Sequence, residues 1–84
     1  MHLEQNKLFI GNLSFDTKQE DLELVFKEFG EIKDIYMPMD ADKRPRGFAF
    51  ITYVSSESAQ NALNANGQKI NNREIRVSLA RNRK

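Results

Sequence analysis

The segment RGFAFITY, residues 46–53, decides the fold. Read as a strand, it sends Phe48, Phe50 and Thr52 to one face of a sheet and Ala49, Ile51 and Tyr53 to the other. Both faces are apolar, so the rest of the chain has to show which one it can cover. Upstream, KLFIG (7–11) alternates Leu8 and Ile10 with Lys7, Phe9 and Gly11, and IKDIYMPM (32–39) alternates Ile35 and Met37 with Asp34, Tyr36 and Pro38. The polar DADKRP then breaks the pattern near Asp40. Between these strands, Thr17 and Glu20 fit a capping box, and Leu22, Val25, Phe26 and Phe29 fall at helical spacing before Gly30 stops the helix. An amphipathic helix of about twelve residues is expected there. Downstream, Ser55 or Ser56 caps a second helix whose small face is Ala59, Ala62 and Leu63, closed by Asn66-Gly67. Asn71-Asn72 then turns the chain into REIRVSLA (73–80), where Ile75, Val77 and Leu79 alternate with Arg76, Ser78 and Ala80.

The order strand, helix, strand, strand, helix, strand predicts an α+β chain of split βαβ, ferredoxin-like form. It has a four-stranded antiparallel sheet with both helices on one face. The helical stripes need partners, and only Leu8, Ile10, Ile35, Met37, Ala49, Ile51, Tyr53, Ile75 and Val77 can supply them. Alternation then forces Phe9, Tyr36, Phe48 and Phe50 to the uncovered side, with Lys7, Arg76 and Ser78 beside them. Exposed rings on central strands give no core packing, so a cluster of them argues for a ligand. Flat rings flanked by cations suit stacked bases.

Composition narrows the classes. Eighty-four residues make one small domain, and 39% apolar with 30% charged residues is ordinary for a folded one. There is no cysteine and the single histidine is His2, which removes thiolate chemistry and most metal ligands, so no metal and no cofactor are expected. No apolar run approaches the ~18 residues of a membrane span, and MHLEQNK lacks the apolar stretch of a signal peptide; the expected place is inside the cell, away from membranes. The net charge is only +1, but it is unevenly spread: residues 16–34 carry seven acidic and three basic side chains, residues 69–84 six basic and one acidic. A further basic group, Lys43, Arg44 and Arg46, precedes the aromatic run.

LFIGNL (8–13) and RGFAFITY (46–53) resemble the hexamer and octamer signatures of the RNA recognition motif family. The resemblance covers residues 6–81 and leaves 82–84 as a short basic tail. It implies a module for single-stranded RNA in which Phe9, Phe48 and Phe50 stack two or three bases and Arg46 contacts phosphate or sugar. On the same open face Lys7, Arg76 and Ser78 can reach phosphates, ribose hydroxyls or base edges, and Arg81 opens a basic flank. Tyr36 is either a further stacking ring or a neutral sheet residue, Asn12 either a base contact or a plain turn, and Gly47 a site of close backbone approach or strand twist. Lys43 and Arg44 either contact phosphate or serve solubility.

Residues 34–53 look most like modules of serine/arginine-rich and transformer-type splicing factors. That implies RNA processing in the nucleus, with the cytoplasm as the alternative place, a monomer, and other RNA-processing proteins as partners, although bacterial members of the family are equally short. Two rivals are weighed against this. A hydrolase of the same architecture, of acylphosphatase type, needs a phosphate-cradling loop with Arg and Asn, whereas NLSFDTKQE (12–20) has no basic residue at its start and no glycine run; no enzyme is expected. A protein-interaction module using the helix face would have no need of three exposed rings.

Overall fold

The computed structural model describes residues 3–42 and 46–81. Lys43, Arg44, the tail 82–84 and His2 lie outside the described residues. In chain order the elements are β1 (Leu3–Gly11), α1 (Gln19–Phe26) with a 3-10 turn to Phe29, β2 (Ile32–Tyr36), β3 (Ala49–Tyr53) and α2 (Ser56–Ala62) with a 3-10 turn to Ala65. They are followed by β4 (Lys69–Ile70), β5 (Arg73–Glu74) and β6 (Arg76–Arg81). Four strands form one antiparallel sheet in the order β2-β3-β1-β6, and β4 and β5 form a separate ribbon. The predicted split βαβ architecture is present, with β1 and β3 at its centre.

The core follows the alternation. Leu8, Ile10, Ala49, Ile51, Tyr53 and Val77 from the sheet pack in one cluster with Leu22 and Phe26 of α1 and Ala59 and Ala62 of α2. Both helices therefore cover the same sheet face. Met37 and Ile75 are buried in the cluster as expected, and Ile35, Val25, Phe29 and Leu79 pack partly buried against it. Tyr53 is fully buried, and its hydroxyl donates to the Phe26 carbonyl at 2.5 Å, which ties β3 to the end of α1. Burial holds its phenol well above the usual tyrosine range.

Several local expectations are corrected. The box at the start of α1 is not Thr17 with Glu20: the backbone N–H of Lys18 donates to the Asp21 carboxylate at 3.0 Å. Thr17 is buried instead, and its hydroxyl accepts from the Asn71 side-chain amide at 3.2 Å. A residue drawn into a long-range bond leaves its neighbour to cap the helix. At α2 the cap is Ser55, whose Oγ accepts from the Ser58 N–H. The strand expected over 73–80 is interrupted at Ile75. Asn71 and Asn72 take φ of +55° and +66°, the left-handed pair that closes a two-residue hairpin, so Arg73–Glu74 folds back on Lys69–Ile70. Ile75 N–H then donates to Gln68 O, and Gly67 N–H donates to Ile75 O.

The main sheet resumes with β6 on the far side of β1. Ala80, expected on the open side with Arg76 and Ser78, is buried. Near it the pairing of β1 with β6 loses regular register, between Leu3 and Leu8, so strict alternation no longer holds at that end. β1 also begins at Leu3, four residues before the predicted strand.

Candidate nucleic-acid interface

Register assembles the open face into rows. Tyr36 pairs with Phe50, Phe50 with Phe9, and Phe9 with Ser78, so one line of residues crosses all four strands from β2 to β6. One step along, Gly11 pairs with Arg76, and Phe48 enters β3 beside them. A step the other way, Lys7 pairs with Thr52. The side chains that separate strands could only assign to a face are here neighbours.

The rings touch. Phe9 lies 5.7 Å from Phe48 and 5.6 Å from Phe50, centroid to centroid, and Phe48 and Phe50 meet edge to face at 5.9 Å. Tyr36 stands nearly parallel to Phe50, with 16° between planes and 6.4 Å between centroids. Phe9, Phe48 and Phe50 are half-buried by one another while Tyr36 is 58% exposed. This is a continuous aromatic floor on strands held from below by the core. The mutual contacts lower the cost of leaving the rings uncovered and restrict their rotamers.

Beside the floor, Phe9, Gly11, Asn12, Gly47, Phe48 and Arg76 line a cleft of about 580 Å³ that opens to solvent. Its rim is braced by backbone. Leu13 N–H donates to Gly47 O at 2.9 Å, and Gly47 takes φ of +91°, where a side chain would be strained. Arg46 N–H donates to Pro38 O, which fixes the Arg46 backbone at the loop's base and leaves its side chain exposed. Arg76 and Ser78 are exposed on β6. Arg81 ends that strand, opposite Leu3.

Asn12 has a structural task that its sequence position does not reveal. With φ of +60° it ends β1, its amide donates to Glu74 O at 2.6 Å, and its carbonyl accepts from Arg73 Nη2 at 3.1 Å. It ties the hairpin to the sheet and keeps one amide hydrogen for the cleft. Among the described residues no group of three or more His, Asp or Glu side chains could hold a metal ion, and no helix is long and apolar enough to cross a membrane.

Comparison with known proteins agrees with this geometry. The family model described as the RNA recognition motif matches residues 8–76. The chain belongs to the RNA recognition motif family. It is thus an RNA-binding type of module, and the matched span includes Phe9, Tyr36, Phe48 and Phe50 of the aromatic floor. It is 50% identical over 62 residues to Multiple RNA-binding domain-containing protein 1 of Dictyostelium discoideum, covering 73% of this chain and 7% of that protein. Against Glycine-rich RNA-binding protein 5, mitochondrial, of Arabidopsis thaliana it is 38% identical over 82 residues, 96% of this chain and 28% of that one. The chain therefore spans a small part of the curated relatives it matches. Among solved structures, a Sxl-lethal protein/RNA complex superposes with a TM-score of 0.88 at 26% identity, covering 94% of this chain and 48% of that one. The names of these three speak of RNA in general terms, and none of them names a serine/arginine-rich factor.

Proposed function

We propose that this RNA recognition motif binds two or three unpaired nucleotides across β1 and β3. Bases stack on Phe9 and Phe50, and Phe48 lies against sugar or between nucleotides. The row Tyr36, Phe50, Phe9, Ser78 carries the reading, because it sets flat rings beside a hydrogen-bonding side chain along one line of register. Each stack contributes about 1–3 kcal/mol and is tolerant of sequence, since every base has a π-face. Sequence preference then comes from hydrogen bonds to base edges, supplied by Ser78, Arg76 and the remaining amide hydrogen of Asn12. Arg46, Lys7 and Arg81 act on phosphates, with Tyr36 as an additional ring at the β2 edge. The module works as a monomer and by binding alone, with no catalytic step.

A duplex keeps its bases stacked inside and offers none to the rings. The module is therefore expected to prefer a single-stranded oligomer at least tenfold over a fully paired hairpin of the same sequence in competition binding. Equal competition by the hairpin contradicts the proposal. For the process served we propose pre-mRNA splicing or a related RNA-processing step in the nucleus, alongside other RNA-processing proteins. The likeness of residues 34–53 to splicing-factor modules supports this, and a fluorescent fusion excluded from the nucleus argues against it.

A further inference from the structure

The ring of Phe50 already has an occupant in the free protein. Lys7 carries its Nζ to 5.1 Å from the Phe50 ring centroid. The two are not directly opposed, since register sets Lys7 against Thr52 and Phe50 against Phe9, so the lysine reaches diagonally across the strands to the ring. Phe9 and Phe48 meet Phe50 steeply, with 61° and 85° between planes, and Tyr36 stands beside it. An ammonium over the ring face is held by the ring's quadrupole. A base stacked on the same face approaches to about 3.5–4 Å, the van der Waals contact distance of carbon atoms. Ammonium and base cannot share it.

We infer that Lys7 is a displaceable cover of Phe50. Its ammonium rests on the ring in the free module and moves to a phosphate of the incoming strand when a base takes the ring. The inference rests on the reading of Phe50 as a stacking ring. It gives Lys7 a behaviour that an ordinary phosphate contact lacks. The ion pair that Lys7 forms with phosphate on binding releases counterions and weakens as salt rises. The cation–π interaction that it gives up is made to a neutral ring and releases none. At low salt the exchange therefore favours binding, and at high salt it opposes it.

The test uses the whole chain and a pool of random single-stranded RNA hexamers. In the free protein the Lys7 ε-methylene protons are expected upfield of those of the other lysines through the Phe50 ring current. Phe50→Leu is expected to abolish that shift, and saturation with the pool to remove it in the unmutated chain. In affinity measurements Lys7→Gln is expected to reduce the slope of log K against log salt by about 0.7, one single-strand phosphate contact. Its curve should cross that of the parent, so that the variant binds less tightly at low salt and more tightly at high salt. The inference is overturned by Lys7 protons insensitive to Phe50→Leu, by Lys7 protons unmoved in an RNA-saturated protein, or by salt curves that stay parallel or converge without crossing. An unmoved Lys7 beside shifted Phe9 and Phe48 signals overturns only the cover, whereas a protein that takes up no RNA overturns the stacking reading and the exchange with it.

Discussion

Replacing Phe50 or Phe9 by alanine is expected to weaken binding to single-stranded RNA at least about fivefold while leaving the module folded. Each ring offers one base a stacking surface, and removing ~1–3 kcal/mol per stack corresponds to roughly five-fold to more than a hundred-fold in affinity. The fold tolerates the change because neither ring belongs to the core cluster. The stability at stake is that of the packing of Phe9 on Phe48 and Phe50, and aromatic pairs of this kind contribute about 0.5–1.5 kcal/mol each. Truncating the fully buried Phe26 would instead cost about 3–5 kcal/mol. The two classes of phenylalanine are thus separable by pairing fluorescence anisotropy on labelled oligomers with thermal unfolding. Unchanged affinity in either variant, or an unfolded variant, contradicts the assignment of these rings.

The largest effect on stability from a single added methyl group is expected at Gly30→Ala, about 2–6 kcal/mol. Gly30 follows the 3-10 turn at the end of α1 with φ of +153° and ψ of −179°, a region open essentially to glycine alone, which by itself costs a substituted residue about 1–3 kcal/mol. The new Cβ would also overlap Oγ and Cβ of Ser58. The hydroxyl can rotate away, but the Cβ belongs to α2 and cannot, so the helix must shift from its seat on the sheet, at about 1–3 kcal/mol for overpacking. Urea unfolding measures the sum. In a Ser58→Gly background the steric part disappears and the cost of Gly30→Ala should fall to the backbone part. An equal cost in both backgrounds contradicts the close approach of turn and helix.

How much of this was legible in the sequence depends on whether a feature is local. Phe9, Phe48 and Phe50 could be assigned to the open face from alternation within each strand, because the helical stripes left only one partner set for the core. The interruption at Ile75 could not. Residues 73–80 alternate without a break, and β4 is only two residues long, too short to show a period. The Asn71-Asn72 turn was readable, but its partner strand was not. Thr17 looked like a helix cap because capping residues and buried hydrogen-bonding residues are the same types; its partner Asn71 is 54 positions away. Asn12 looked like a turn or a base contact for the same reason, its bond to Glu74 spanning 62 positions. The order of the rings along one row, and the diagonal reach of Lys7, need the register between strands, which no single strand encodes.

Mapping backbone amide chemical shifts of the whole chain during titration with random single-stranded RNA oligomers tests the placement of RNA on the sheet most directly. The expected result is perturbation concentrated at Phe9, Phe48 and Phe50 and their neighbours on β1 and β3, extending to Arg76 and Ser78. Perturbation confined to α1 and α2, with the aromatic row unmoved, would contradict it and make the helix face the binding surface.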